Sequence, residues 1–501
     1  MTAVPRIVVS APSAGHGKSA VAIGLLAAFT ARGLAAAGCK VGPDHTDAAY
    51  LGLAAQRRAR NLDPRLLGQR RIAPLFAHAA AGADVAVVEG TMGLYDALAE
   101  ESDADSTAGV ATALRAPVVL VIDVAAMGQS VAAMVHGFRA FDELVWLGGV
   151  VLNRVTSERH EELLRDAMDD IGVPVLGVLH RDLVAEAAQA GLPGRHLGVE
   201  PVARRAADAA RAVRRLGEII EGSVDVERVL GLARSAPRLA VEAWSPHGAR
   251  AEEETLDVVA RPPVLAVAGG PDLEYGYPET AELLAAAGAR IMPVDPLRDE
   301  ALPPGTAGLI IGDALPEAYA AELSANVRLR RSVAELAGSG APVVAEGAGL
   351  LWLARELDGL PMCGVLDATA HNTDHLVVGY REATAHGPSP VAPAGTRLVG
   401  YKHHRAVVAP RAGAQPAWTW AGGPPEGFIE RRVYASQLRL HWVAVPGLAQ
   451  RVVVAARQAA RQAASPESAR HAVESVPTTI IPIARRATGR APVGGHPTEV
   501  A

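Results

Sequence analysis

Continuous apolar runs, each followed by a helix-length segment, recur along the first 225 residues. RIVVSA (6–11), AAAGCKVG (35–42), DVAVVEG (84–90), APVVLVIDV (116–124) and LGGVVLNRV (147–155) lack the polar alternation of a half-exposed strand. Each is therefore expected to be covered on both faces. Helical segments between them, the first from Lys18, predict right-handed βαβ crossovers and a doubly wound parallel sheet. From about 226 to 262 the pattern decays into charged and proline-containing sequence, ending ARAEEETLDVVARPP, which predicts a linker. A second α/β series follows: PVLAVAG (263–269), a helix over 278–288, ARIMPVD (289–295), AGLIIGD (307–313) and APVVAEG (341–347). The alternation fades after Ala459, and the remainder, rich in Ala, Pro, Arg and Ser, is expected to be disordered. The expected divisions are 1–225, 226–262, 263–458 and 459–501, without an internal repeat.

Composition adds exclusions to this picture. A chain of 501 residues, half of them apolar, can build two sizeable cores. Its 48 basic and 54 acidic residues give a net charge of −6 with no basic block, which argues against a nucleic-acid partner. Cys39 and Cys363 lie far apart, so neither a disulfide framework nor a zinc motif is suggested. The first strand begins within six residues, leaving no room for a signal peptide, and no apolar run approaches the ~18 residues of a membrane span. A cytoplasmic, soluble protein without a membrane partner is expected.

The strongest chemical motif closes the first strand. In APSAGHGKS (11–19), Ser13, Ala14, Gly15, His16 and Gly17 form a glycine turn that leads into Lys18 and Ser19. This is the arrangement of a phosphate-binding loop: backbone N–H groups and a helix N-terminus cradle phosphate oxygens. Lys18 is expected to reach the β- and γ-phosphates of ATP, and the Ser19 hydroxyl to bind Mg²⁺. Pro12 stands where the consensus begins with Gly, but strand, turn and helix fall in the required order. Ser13 stands where partition-type ATPases carry an additional Lys, which counts against that class.

Ligands of an open parallel sheet bind beyond the carboxyl ends of its strands. Two acidic segments lie there, Lys40-Val-Gly-Pro-Asp44-His-Thr-Asp47 and Glu89-Gly-Thr-Met-Gly-Leu-Tyr-Asp96. Asp44 and Glu89 are the expected Mg²⁺ contacts, since hard oxygen ligands suit that ion. Asp47 and Asp96 are expected to hold a second metal or orient the substrate; the competing reading makes Asp47 a helix cap. Asn153, after the fifth strand, is a candidate for reading an adenine edge.

Together KVGPDHTD, RNLDP (60–64), VEGTMGLYD (88–96), VLNRV (151–155) and GRHLG (194–198) resemble the cobyrinate or hydrogenobyrinate a,c-diamide synthase family. LPEAYAAELSANVRLRRSV (315–333), PMCGVL (361–366) and LVVGYREA (376–383) extend the resemblance through the second half, so that it spans roughly residues 5–455. It implies an N-terminal, dethiobiotin-synthetase-like P-loop domain that uses ATP and Mg²⁺ to activate carboxylates of a corrin ring as acyl phosphates. It also implies a C-terminal class I glutamine-amidotransferase-like domain that normally supplies ammonia. Relatives leave a homodimer open.

The same resemblance exposes three departures. The family elbow Ala-Glu-Cys-Gly/Ala-Gly reads Ala345-Glu346-Gly347-Ala348-Gly349, so Gly347 stands at the nucleophile position. The family Ser-Tyr-x-His-x-His reads Ser436-Gln437-Leu438-Arg439-Leu440-His441, with Arg439 at the position of the catalytic His. Asp313, in a stretch that helps relatives hold an oxyanion, brings negative charge where a donor is needed. Cys363 reads as a packed thiol in a buried strand, and His403 and His404 as wall or surface residues. The expectation is an ATP-dependent carbon–nitrogen ligase with a live synthetase half and an inactive glutaminase half. Its nitrogen would come from free ammonia, a separate glutaminase partner or another amine. A non-catalytic nucleotide-dependent scaffold and a ligase recruited to a non-corrinoid acid are the alternatives. An ordinary glutamine-dependent synthetase would require the missing thiol.

Overall fold

The computed structural model describes residues 3–97, 105–181, 206–248, 261–269, 276–312, 315–445 and 447–463. The GRHLG stretch, Asp313, residues 249–260 of the expected linker and the tail from 464 lie outside the described residues. The chain from Met1 to Ala460 packs as one compact unit that contains both α/β series.

The first seven strands form one sheet: β1 (Arg6–Ser10), β2 (Ala36–Val41), β3 (Arg60–Leu62), β4 (Val85–Glu89), β5 (Val118–Asp123), β6 (Leu147–Val155) and β7 (Val175–His180). Their order is β3-β2-β4-β1-β5-β6-β7, with every pair parallel. Every residue of β1, β2 and β4 is buried, as the unbroken apolar runs require. Alternate side chains enter opposite cores, with Val8, Val88 and Leu120 on one side. Ile7, Val9, Val87 and Val119 face helix α1 (Lys18–Ala31) on the other, against Leu25, Leu26 and Phe29. Helices α2 (His45–Ala55) and α3 (Pro64–Leu67) follow β2 and β3.

The expected linker begins with a helix, Val226–Arg234, whose first turn is capped by the Asp225 carboxylate accepting from Arg228 N–H at 2.9 Å. Val226, Val229, Leu230 and Ala233 recur at helical spacing, and burial of that stripe in the α1 core explains why the segment is ordered.

The second half contains β8 (Val264–Ala268), β9 (Arg290–Val294), β10 (Thr306–Ile311) and β11 (Val343–Glu346), all parallel. Strands β12 (Glu356–Leu357), β13 (Leu360–Pro361), β14 (Thr369–Ala385), β15 (Arg397–Ala409) and β16 (Trp418–Thr419) build a separate sheet dominated by the long antiparallel pair β14–β15. The chain then returns through β17 (Phe428–Glu430) and β18 (Val433–Ser436), giving the order β17-β18-β11-β10-β8-β9. PMCGVL is not a strand beyond Pro361. It turns at Gly364, at φ 66°, and wraps the helix Gly349–Leu353, with N–H groups of Cys363, Val365 and Leu366 on the carbonyls of Trp352 and Leu353. The last helix runs Leu448–Ala463, beyond the boundary expected at 458.

Candidate active site

The sheet order places β4 between β2 and β1, so the ends of these three strands form one rim at the switch point. After β1 the chain turns through Gly15 (φ 92°) and Gly17 (φ 95°) into α1. A Cβ at Gly17 would lie 2.4 Å from the Asn153 amide nitrogen, so close approach and left-handed backbone both require glycine there. Asn153 is buried, and its amide donates to the His16 carbonyl at 2.8 Å. That bond anchors the loop from beneath. The neighbouring Asp123 N–H donates to His16 Nδ1 at 2.8 Å, and Asp123 in turn holds Arg154 at 2.6 Å. Ser13 Oγ lies 3.1 Å from His16 Nε2 on the outer side of the loop, with Ala14 exposed beside it.

Behind the loop lies a compact charged cluster. Ser19 donates to Glu89 Oε1 at 2.6 Å, and the buried Lys40 ammonium lies 2.8 Å from both Glu89 and Asp47. Burial alone would discharge Lys40, but Asp47 and Glu89 outweigh it and raise its pKa, so the ammonium stays charged. Glu89 is pushed above the ordinary carboxylate range, first by burial and then by Asp47, against the pull of Lys40 and Ser19. Asp44 caps α2, accepting from Asp47 N–H at 3.0 Å. The cap considered for Asp47 thus belongs to Asp44, which leaves the Asp47 carboxylate for Lys40. Asp96 accepts from Gly93 N–H at 2.8 Å in the turn after β4 and is exposed. Lys18 is buried at the start of α1.

In the second half, β11 enters its helix through Gly347 at φ 60°. Glu346 accepts from Trp442 Nε1 at 2.9 Å and from Leu440 N–H at 3.3 Å, which ties the elbow to the segment after β18. Arg439 is buried, pairs its backbone with Tyr401 and lays its guanidinium over the Tyr401 ring at 5.2 Å. His441 is buried, stacks on Tyr277 at 4.2 Å and lies 3.9 Å from Glu279; burial drops its pKa to about 4. A cavity of about 50 Å³ remains, lined among others by Glu346, Arg439, Trp442, Tyr277 and, from the first half, His45. Cys363 is buried elsewhere, and burial pushes its thiol pKa well up, so no thiolate is available there.

Two family models match these two halves. A CobQ/CobB/MinD/ParA nucleotide-binding domain matches residues 7–193, and a CobB/CobQ-like glutamine amidotransferase domain matches residues 265–445. The chain is 52% identical to a hydrogenobyrinate a,c-diamide synthase of Streptomyces coelicolor, covering 90% of this chain and 97% of that one. This chain belongs to the hydrogenobyrinate and cobyrinate a,c-diamide synthase family. Two further members are similar to it over 90% and 87% of this chain. The hydrogenobyrinate a,c-diamide synthase of Thermobifida fusca is 44% identical, covered to 97% of its length. The cobyrinate a,c-diamide synthase of Gloeobacter violaceus is 37% identical, covered to 93%.

The family's nucleotide-binding half bears on whether the rim suits a magnesium ion. Among the described residues no group of three or more His, Cys, Asp or Glu side chains is arranged to hold a metal. Glu89 Oε2, fully buried, has no hydrogen-bond partner there, and the Ser19 hydroxyl lies beside the same carboxylate. A hydroxyl and one carboxylate oxygen fit Mg²⁺, which takes few protein ligands and completes its shell with phosphate and water. Asp44, expected as a magnesium contact, is engaged as the cap of α2. Sequence reasoning passed over Lys40, although a lysine inside an apolar strand was a legible signal. It also missed Asp63, which caps α3 and accepts from Tyr380 of the second half at 2.8 Å. No helix among the described residues is long and apolar enough to cross a membrane.

Proposed function

We propose that this family member amidates carboxylates of hydrogenobyrinate with ATP and magnesium, taking its nitrogen from free ammonia or from a separate ammonia-producing partner. The relatives between 43% and 52% identical carry the hydrogenobyrinate name, and the cobyrinate name appears at 37%. That gradient favours hydrogenobyrinate as the acid. A carboxylate oxygen is a poor leaving group, so a carboxylate oxygen first attacks the γ-phosphorus and ADP departs. Ammonia then forms the C–N bond, the C–O bond to phosphate breaks, and the nitrogen gives up a proton as the amide appears.

The chain's own residues have matching parts. The loop through Gly15 and Gly17 and the N-terminus of α1 hold phosphate oxygens, and Lys18 offsets their charge. Ser19 and Glu89 would hold magnesium, which when bound neutralises charge on the transferring phosphoryl group. Lys40 fixes Glu89 and Asp47 in place, and Asp44 and Asp96 order the turns that carry the rim. Displacement of water from the rim by bound substrates would limit hydrolysis of the acyl phosphate.

The observation that carries the nitrogen source is Gly347. The elbow offers neither thiol nor hydroxyl, and buried Arg439 cannot serve as the base that a nucleophile needs. Purified protein with Mg-ATP and hydrogenobyrinate is expected to form amides with ammonium chloride and none with glutamine, read by mass spectrometry. Amide from glutamine in the absence of any other protein would overturn the reading.

A further inference from the structure

We propose that the strand pair β14–β15 forms one wall of the acid-binding site, its open face taking the apolar body of a large polycarboxylate. This rests on the reading above, in which that acid is hydrogenobyrinate. The register pairs Val378 with His403, Tyr380 with Tyr401 and Glu382 with Val399, so these six side chains share one face of the pair. One end of this face is closed by the first half of the chain. Tyr401, Tyr380 and Val399 pack with Leu66 of α3, Tyr380 donates to Asp63 at 2.8 Å, and Glu382 meets Arg65 at 2.9 Å.

Beyond Tyr380 and Tyr401 the same face opens. Val378 is 51% exposed, and Leu376, in the irregular stretch of β14 between Asn372 and Val377, is 38% exposed. His403, opposite Val378, stacks alongside Tyr401 at 6.3 Å; Tyr401 in turn lies under the Arg439 guanidinium at 5.2 Å, and Arg439 lines one cavity with His45 at the start of α2. The open stretch is therefore continuous with the closed interface, which through Tyr401 and Arg439 reaches the start of α2, next to Asp44. Arg405, two residues after His403 on β15, donates to the Asp374 carbonyl at 2.7 Å.

Exposed aliphatic side chains and an imidazole, with the Arg405 guanidinium beside the irregular stretch, complement a ligand with an apolar body and peripheral carboxylates. ATP matches it poorly, because its phosphates are claimed by the loop after β1. The placement also explains what a half without a nucleophile still contributes: Asp63, Arg65 and Leu66 lock the wall in register with the carboxylates of the rim.

Equilibrium dialysis of the full chain against hydrogenobyrinate, without ATP, tests the wall directly. Val378→Glu and Leu376→Glu are each expected to weaken binding by about tenfold or more, because an apolar contact is lost and a like charge is gained. In the ammonium-dependent assay the KM for the acid should rise in proportion, with kcat and the KM values for ATP and ammonium unchanged. Val378→Leu should bind like the wild type, and so should Leu144→Glu, a change at a 75% exposed residue remote in sequence from the pair. Both substitutions stand at solvent-facing positions, and an unchanged thermal midpoint would confirm folding. Wild-type affinity in both variants would overturn the wall and leave the proposed reaction standing. Weakened binding without any amide from ammonium would support the wall and remove the proposed nitrogen source. Absence of acid binding to the wild type would remove both.

Discussion

Lys40 holds two carboxylates at once, each 2.8 Å from its ammonium, and Glu89 is fully buried. Replacing the lysine by methionine keeps the stem and deletes the charge. Glu89 would then be a buried carboxylate with only the Ser19 hydroxyl to satisfy it, a change of the kind that costs about 3–5 kcal/mol. Lys40→Met is expected to shift the urea midpoint accordingly and to abolish ATP-dependent amidation. Asp63 presents the opposite balance. Burial lifts its pKa to about 6, although the Leu66 N–H and the Tyr380 hydroxyl both favour the anion. The ordinary value is about 4. Below that, both folded and unfolded chains are protonated and Asp63 makes no difference. Between about 4 and 6 the folded chain keeps a proton that the unfolded chain has released, so stability falls as pH rises through this window. The full cost, about 3 kcal/mol for a shift of two units, is present above 6. Asparagine can still cap α3 and cannot ionise. Asp63→Asn is therefore expected to flatten the stability profile between pH 4 and 6 in urea titrations, and an unchanged slope would show that Asp63 does not set it.

The elbow between β11 and the helix Gly349–Leu353 turns on a glycine at positive φ. At φ 60° a residue with a Cβ costs about 1–2 kcal/mol, which glycine avoids. Gly347→Cys is expected to lower the thermal midpoint modestly and to release no glutamate from glutamine, because Arg439 remains where a base is needed. Measurable glutamate release would show that the elbow lacked only its thiol. Such elements were legible in the sequence to different degrees. The unbroken apolar runs of β1, β4, β5 and β6 fixed the parallel sheet, since strands covered on both faces carry no competing polar pattern. The helix Val226–Arg234 was hidden by its charged outer face, although Val226, Val229, Leu230 and Ala233 carried the helical spacing. The pair β14–β15 was missed as structure because only part of each strand alternates cleanly. The cap considered for Asp47 falls to Asp44 for a reason that lies outside local sequence: the ammonium that claims the Asp47 carboxylate comes from β2, across the turn.

At the scale of the whole chain, charged side chains link the two α/β halves alongside the apolar contacts. Arg60 of β3 reaches Glu279 at 2.7 Å and Glu282 at 2.5 Å, and His78 lies 3.1 Å from Glu282. The Arg60 pKa is raised because these two carboxylates outweigh its burial. Glu279 is fully buried with Arg60 against it at 2.7 Å, whereas Glu282 is part-exposed and can fall back on water. Arg60→Ala thus removes one guanidinium and strands one buried carboxylate, and the loss is expected to reach about 3–5 kcal/mol. The stranded charge sits on the helix Pro278–Ala286 of the second half, whereas the deleted one belongs to the first sheet. The damage should therefore appear as uncoupling rather than as collapse of either core. Urea unfolding of the wild type, followed by tryptophan fluorescence and by far-UV circular dichroism, is expected to give coincident transitions. In Arg60→Ala the two probes should separate, with a shallower apparent slope. Adding Glu279→Gln removes the stranded charge and should recover part of the loss, a coupling visible in the double-mutant cycle. Coincident, merely shifted transitions in Arg60→Ala would mean that apolar contacts such as Leu66 with Tyr401 hold the halves together without help from the ion pairs.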